Sequence, residues 1–311
     1  MISFEGIWIP LITPFRHQEV DIDSVKKLAR IFFEAGVKGI VVCGTTGESA
    51  MLDDGEKAQI LAAVQDVVPL GFPVVLGVGG SDTRHMVEKL IRLENFGLPP
   101  SAYLISPPAY VRPSQAGILQ HYQHLCGATS QPVILYNIPA RTGVNIEAET
   151  IKQLAQHPQI QAIKDCGGKF AESARLLKQT DLKVFCGDDA MLFDFLIIGA
   201  HGGICAAAHI RPDLFVHLFH LSKIGKTAEA LLLFKQLFPV IHLLFSEPNP
   251  APVKAALSML GLIDEELRLP MTPMSHEGRQ QLALALESLM KIPSPKAPIC
   301  NVKSSDLSLY K

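Results

Sequence analysis

The chain alternates short apolar runs with amphipathic segments along most of its length. The amphipathic segments have a helical period, as in the stretch from Val25 to Phe32, which Gly36 follows as a helix stop; a later one ends before Gly97. The apolar runs predict eight strands, at Trp8–Thr13, Gly39–Cys43, Pro73–Val78, Ala102–Ser106, Val133–Asn137, Ala162–Asp165, Val184–Gly187 and Gly202–Cys205. Strands that alternate with helices in this way predict a parallel sheet.

Eight strand–helix units with right-handed crossovers can close into a TIM (β/α)8 barrel, and a doubly wound open sheet is the alternative. After Ile210 only helices are predicted, at Leu214–Lys223, Ala228–Phe245, Pro252–Leu260 and Gly278–Met290. We expect the barrel at 1–224, a C-terminal helical domain at 225–292 and a flexible tail at 293–311. Pro239 should kink or split its helix.

Composition narrows the class of protein. The 311 residues are 48% hydrophobic with a net charge of −2 and no block of basic residues, which argues against nucleic-acid binding. The six cysteines form no C-x-x-C pair, as expected for buried thiols in a reducing compartment. Polar residues interrupt the apolar run Leu231–Phe245, so it predicts a packed helix and no membrane span. Met1–Gly6 lacks signal-peptide features, and we expect a cytoplasmic protein.

Lys164 stands out because it lies near the end of the sixth predicted strand, directly after the apolar Ile163. The apolar context predicts that Lys164 is buried, and burial disfavours a charged ammonium. A neutral lysine amine is a nucleophile near neutral pH.

The turn Gly44-Thr45-Thr46-Gly47-Glu48-Ser49 follows the second predicted strand. Backbone amides between glycines can point at a carboxylate. The alternative is that these hydroxyls only cap the next helix.

Tyr136 lies at the C-terminal end of the fifth predicted strand, next to its last residue, and Arg141 follows five residues later. Together they suggest a proton relay beside a carboxylate clamp, although an ordinary core tyrosine and a solvated arginine are the alternative. In a barrel the fifth and sixth strands are neighbours, so Tyr136 and Lys164 would lie side by side. An amine beside a phenol suits Schiff-base chemistry, and Thr45 would link the phenol to another hydroxyl.

Three motifs together resemble the dihydrodipicolinate synthase and N-acetylneuraminate lyase family of pyruvate-dependent class I aldolases. They are Gly44-Thr45-Thr46-Gly47-Glu48, Tyr136-Asn137-Ile138-Pro139 and Ile163-Lys164-Asp165. The likeness runs from about Gly6 to Met290. It implies a barrel with a C-terminal helical domain, assembled as a homotetramer of two tight dimers.

The resemblance also implies roles for individual residues. Lys164 would form a Schiff base with pyruvate, and Tyr136 would pass protons through Thr45. Tyr110 would enter the neighbouring subunit's site to complete the relay, and the Thr45 and Thr46 amides would hold the pyruvate carboxylate. The further positions that the resemblance places at the pocket are Gly187, Ile204 and Asn249.

Arg141 favours the synthase branch, because it resembles the arginine that receives the carboxylate of L-aspartate 4-semialdehyde. The resemblance then implies condensation of that aldehyde with pyruvate to 4-hydroxy-tetrahydrodipicolinate, for lysine and diaminopimelate synthesis, with no metal or organic cofactor. The alternatives are an N-acetylneuraminate lyase or another 2-keto-acid aldolase of the family, and a non-catalytic binding barrel.

Feedback inhibition by lysine is expected to be weak or absent. Lysine-inhibited members of the family carry polar and acidic residues around a groove between subunits. The matching positions are Asp54, Lys57, Ser81, His85 and Ala109. The added cation at Lys57 and the missing acid at His85 should disfavour a cationic effector.

Two further groups are discounted as sites. His121 with His124 has helical spacing but no carboxylate motif beside it, so we expect no metal. Asp188 and Asp189 open a predicted helix, where capping explains them.

Overall fold

Eight parallel strands close into a barrel in the computed structural model, which describes residues 2–95 and 99–295. Neighbouring barrel strands pair in chain order, and the first closes against the last. The predicted barrel is therefore confirmed and the open sheet is wrong. The strands are β1 (Gly6–Pro10), the hairpin strands β2 (Phe15–Arg16) and β3 (Glu19–Val20), then β4 (Gly39–Val42), β5 (Val74–Val78), β6 (Ala102–Ile105), β7 (Val133–Asn137), β8 (Ile160–Asp165), β9 (Lys183–Cys186) and β10 (Gly202–Ile204).

Helices follow the barrel strands and cover their outer faces. Within the described ranges they are α1 (Ile22–Glu34), α2 (Asp54–Gln65), α3 (Thr83–Glu94), α4 (Gln115–Cys126), α5 (Pro139–Thr142), α6 (Ala148–Leu154), α7 (Phe170–Gln179), α8 (Leu192–Ile197), α9 (Pro212–Lys223), α10 (Thr227–Leu244), α11 (Ala251–Met259) and α12 (His276–Met290). The predicted stop at Gly97 and positions 296–311 of the predicted tail lie outside the described residues.

Apolar side chains fill the inside of the barrel. Trp8 and Phe185 meet edge to face with ring centroids 5.4 Å apart, and Ile204 and Tyr136 belong to the same buried cluster. This packing makes the barrel a filled core rather than a pore. Polar groups at the carboxyl ends of the strands therefore lie above an apolar floor.

Two local predictions need correction. The first strand ends at Pro10 rather than Thr13. Thr13 lies beyond the strand, where its hydroxyl donates to the Gly47 carbonyl at 2.7 Å and so supports the neighbouring turn. Helix α10 continues through Pro239, so the predicted split is wrong. The carbonyl that Pro239 leaves unpaired belongs to Lys235, which faces solvent and can bond to water.

The C-terminal helices form a layer beside the barrel. Helix α10 packs against α9 and α12 and buries one apolar face, which includes Leu233, Leu237 and Ile241. It is long and apolar enough to cross a membrane by length and composition. Its packing against two other helices is typical of a core helix. The division of the chain at 224 and 225 stays a prediction.

Candidate active site

Lys164 and Tyr136 meet at the carboxyl end of the barrel. They are direct partners in the pairing of β7 with β8, which points both side chains to the same side of the sheet. The side chains are nearly buried, at 5% exposure for Lys164 and 7% for Tyr136. The Lys164 Nζ atom lies 4.6 Å from the centroid of the Tyr136 ring. The juxtaposition predicted from the strand order is therefore present.

Burial is the main influence on the phenol. It raises the pKa of Tyr136, while the Lys164 ammonium and the nearby Thr45 hydroxyl favour the phenolate and oppose that rise. The net effect is a raised pKa, so the phenol keeps its proton at neutral pH and can act as a proton donor.

Opposing influences act on the Lys164 amine. Burial lowers its pKa, but the Tyr136 phenolate and the Cys166 thiolate favour the ammonium, and the pKa of Lys164 is raised overall. The expectation that burial alone neutralises this amine is therefore incomplete. The Tyr136 phenol and the Cys166 thiol have raised pKa values and are neutral at pH 7, so neither attracts the Lys164 ammonium at that pH. Burial is then the main influence on the pKa of Lys164, and it favours the neutral amine.

Gly187 makes room for Lys164. A Cβ atom at this position would lie 2.9 Å from both Cγ and Cε of Lys164 and would overlap Cys166 Sγ. Gly187 follows β9, the strand beside β8, so the lysine side chain lies across its backbone. The contact gives a physical reason for glycine at a position that the sequence marks only through the family resemblance.

The turn Gly44–Ser49 lies beside this pair and is held in an uncommon conformation. Both Cys43 and Glu48 have left-handed backbone angles, with φ of +53° and +55°, which are unusual for residues other than glycine. Within the described part of the chain, the amides of Thr45 and Thr46 donate no hydrogen bond. They could therefore donate to a carboxylate, and their role in binding one stays a prediction.

Asn249 connects this turn to Arg141. The Asn249 Nδ2 atom donates to the Thr46 hydroxyl at 3.0 Å, and Arg141 Nη2 donates to the Asn249 carbonyl at 3.4 Å. The Arg141 side chain is otherwise exposed. Thr46, Asn249 and Arg141 therefore form a continuous polar edge that extends from the turn to solvent.

The remaining predicted residues lie in different environments. Ile204 is fully buried beside Trp8 in the floor of the site. Tyr110 does not join the cluster within one chain, because it is 92% exposed. Its φ of +73° and the bond from its amide to the Thr142 carbonyl hold it on a protruding turn. An exposed aromatic side chain on a fixed turn is typical of a contact with another molecule.

Asp189 is a site residue that the sequence reasoning missed. Capping accounts for Asp188, whose carboxylate accepts from the Ala190 amide, but Asp189 is 1% exposed and accepts from the Ala207 amide at 2.6 Å. Burial raises the pKa of Asp189 to about 7, while the Ala207 amide and Lys164 oppose the rise. In the sequence, the indication of a role for Asp189 was a second carboxylate, next to Asp188, shortly after an apolar strand.

No metal site accompanies these groups. Across the described ranges, 2–95 and 99–295, no three histidine, cysteine, aspartate or glutamate side chains have a geometry that could hold a metal ion. His121 is buried, its Nδ1 atom lies 2.9 Å from the Thr83 hydroxyl, and burial lowers its pKa to about 4. It is therefore a packed, neutral histidine.

Comparisons with known proteins find similar chains over nearly the full length of this one. Residues 3–289 match the model of the Dihydrodipicolinate synthetase family. The 4-hydroxy-tetrahydrodipicolinate synthase 2 of Clostridium acetobutylicum is 38% identical over 90% of this chain and 99% of its own length. The corresponding synthase of Chlorobium phaeovibrioides is 39% identical, with coverage of 92% and 98%.

Solved structures have the same fold. The 4-hydroxy-tetrahydrodipicolinate synthase of Methylacidiphilum fumariolicum superimposes with a TM-score of 0.89 at 33% identity and covers 93% of this chain and 96% of its own. A chloride-inhibited dihydrodipicolinate synthase from Acinetobacter baumannii, complexed with pyruvate, has the same TM-score and identity, with coverage of 93% and 100%.

Proposed function

Because the chain belongs to the dihydrodipicolinate synthetase family, we propose that it condenses pyruvate with L-aspartate 4-semialdehyde to give 4-hydroxy-tetrahydrodipicolinate. The reaction serves lysine and diaminopimelate biosynthesis, in the cytoplasm. The observation that carries the proposal is the buried pair of Lys164 and Tyr136, which lies beside a turn with free amides. These groups match the needs of an imine-forming aldolase acting on a 2-keto acid.

The first half-reaction joins pyruvate to Lys164. The neutral amine attacks the keto carbon, and the resulting carbinolamine loses water when Tyr136 supplies a proton to the departing oxygen. The Thr45 and Thr46 amides bind the carboxylate of pyruvate meanwhile. The protonated imine then withdraws electrons from the methyl carbon, which gives a proton to the Tyr136 phenolate and becomes an enamine. The imine is itself the electron sink, so this chemistry requires no metal or organic cofactor.

The second half-reaction consumes the aldehyde. The enamine carbon attacks the aldehyde carbon of L-aspartate 4-semialdehyde, and the new alkoxide takes up a proton from the Tyr136 phenol. The amine of the added substrate then attacks the imine carbon and displaces Lys164, which closes the ring and restores the free lysine. Arg141 would receive the carboxylate of the aldehyde. The position of its guanidinium at the open end of the polar edge supports this role.

We further propose that the active form is a homotetramer of two tight dimers. The exposed Tyr110, held on a left-handed turn, supports the proposal that it enters the site of a neighbouring subunit. There it would connect Tyr136 and Thr45 to solvent. The helices after residue 224 would form a separate C-terminal domain. Sedimentation velocity measures the assembly directly, and a monomer at working concentration contradicts this part of the proposal.

A substrate comparison tests the proposed reaction. The purified protein should consume pyruvate and L-aspartate 4-semialdehyde together, and should leave N-acetylneuraminate uncleaved. Cleavage of N-acetylneuraminate with no use of the semialdehyde would assign the chain to a sugar-acid lyase. Inactivity with both, and no covalent capture of pyruvate, would indicate a binding barrel.

A further inference from the structure

A buried ion pair lies beneath the turn that presents the Thr45 and Thr46 amides. Glu48, the last residue of the Gly-Thr-Thr-Gly-Glu motif, contacts the Nζ atom of Lys254 in helix α11, and both side chains are fully buried. Burial lowers the pKa of Lys254 to about 8, while Glu48 opposes that change. The catalytic steps above use neither group, although charges are costly to bury.

The pair is one of two attachments between the turn and a single C-terminal segment. Asn249 binds the Thr46 hydroxyl at 3.0 Å, and Lys254, five residues later, binds Glu48. The amide of Glu48 donates in turn to the Thr45 carbonyl at 3.1 Å. Segment 249–254 therefore holds both sides of the turn whose amides face the proposed carboxylate.

Further contacts, with Glu266 and Phe15, hold Lys254 in place. Its Nζ atom donates to the Glu266 carbonyl at 2.7 Å and lies 4.2 Å from the centroid of the Phe15 ring. The opposite end of the carboxylate is also engaged, because the Arg268 amide donates to Glu48 Oε2 at 3.3 Å. These contacts give the Glu48 carboxylate one fixed position.

Glu48 needs such support because its backbone is left-handed, with φ of +55°. For a residue other than glycine this conformation persists only where the surroundings stabilise it. We propose that the Glu48–Lys254 pair is a positioning device that keeps the turn in its carboxylate-binding shape. The C-terminal helices thereby complete the pyruvate site rather than only adding to the core. This inference rests on the proposed function, since pyruvate is the ligand that the turn would hold.

The substitution Glu48→Gln tests the device, because it keeps the side-chain shape and removes the charge. The pyruvate concentration that half-saturates borohydride capture should rise about tenfold or more, since small displacements of binding groups have large kinetic effects. The KM for L-aspartate 4-semialdehyde should stay within about twofold. A merely structural pair would lower the melting temperature and leave pyruvate half-saturation unchanged.

Asp213→Asn is the matched control. It breaks the pair between Asp213 and Arg211, which lie 2.7 Å apart, and Arg211 joins the barrel to the end of α12 through the Leu289 carbonyl. Some loss of stability and a normal pyruvate response are expected. If Glu48→Gln does not fold, the double variant Glu48→Gln with Lys254→Met is used, because it leaves no unpaired buried charge. It should show the same rise in the pyruvate concentration that half-saturates capture.

Three results would overturn the inference. The first is a folded Glu48→Gln protein, or a folded double variant, with pyruvate half-saturation within about twofold of the unsubstituted protein. The second is an equal rise in the Asp213→Asn control, which would indicate general loosening. In both cases the unsubstituted protein still captures pyruvate, so the proposed function stands. The third result is failure of the unsubstituted protein to capture pyruvate, which would refute both the proposed function and the positioning device.

Discussion

Adding one methyl group at Gly187 should displace the Lys164 nucleophile. The Cβ atom of Gly187→Ala would lie 2.9 Å from Lys164 Cε, whereas non-bonded carbons prefer about 3.5–4.0 Å, so the lysine must move by at least about 0.6 Å. Gly187 is outside the left-handed region, so the effect is steric and does not come from the backbone angle. A misplacement of about 1 Å costs up to roughly 100-fold in rate, and we expect pyruvate capture to slow by about 10- to 100-fold.

The assay is the rate at which borohydride fixes pyruvate to the protein, followed by intact mass, together with thermal unfolding. Overpacking should also lower the free energy of unfolding by about 1–3 kcal/mol. The control is Gly127→Ala at the end of α4, where φ is −68° and the new methyl would meet the His124 carbonyl at an ordinary 3.5 Å. The control should capture pyruvate normally.

If a folded Gly187→Ala variant captures pyruvate at a rate within about threefold of the unsubstituted protein, Gly187 does not position Lys164. Such a rate would mean that the lysine has space to move without loss of reactivity. An equal slowing in the Gly127→Ala control would also refute this role of Gly187, since Gly127 touches no group of the site.

Three other outcomes are expected. Arg141→Ala should raise the KM for L-aspartate 4-semialdehyde about 10- to 100-fold, because a charge-assisted contact with its carboxylate is lost. The KM for pyruvate should stay within about twofold, and an equal rise in both KM values would contradict the role of Arg141 in binding the aldehyde. Low-millimolar lysine should leave the rate of condensation unchanged, and clear inhibition would contradict the effect assigned to Lys57 and His85. The pKa of Asp189 is raised from 3.8 to about 7, so between these pH values the folded protein keeps a proton that the unfolded chain releases. The free energy of unfolding should therefore fall as pH rises from about 4 to 7. Urea unfolding of Asp189→Asn should lack this fall.

The sequence was most informative where function depends on neighbouring parallel strands. Tyr136 and Lys164 are the next-to-last residues of consecutive strands, and a parallel barrel places such residues side by side. The free amides of the Gly44–Ser49 turn likewise follow from its glycines and its place after a strand. For these groups, local pattern and topology lead to the same geometry.

Groups that depend on distant parts of the chain were not predictable in this way. In the sequence, Asp189 resembles a capping residue. In the folded chain, the loop after β10 packs against it, donates the Ala207 amide to its carboxylate and excludes water. Glu48 and Lys254 are far apart in sequence, and neither has a local pattern that indicates its partner. Burial created by tertiary packing, rather than residue spacing, gives these groups their properties.

The central claim is that Lys164 is the covalent anchor for pyruvate, and one measurement tests it most directly. The protein is treated with pyruvate and borohydride, digested, and its lysine peptides are compared by mass spectrometry. Lys254 is an internal control, because it is a second buried lysine and burial lowers its pKa to about 8. We expect the Lys164 peptide alone to carry the reduced pyruvate adduct, and activity to be lost in proportion to its formation. An unmodified Lys164 peptide, or an adduct on Lys254, would contradict the claim.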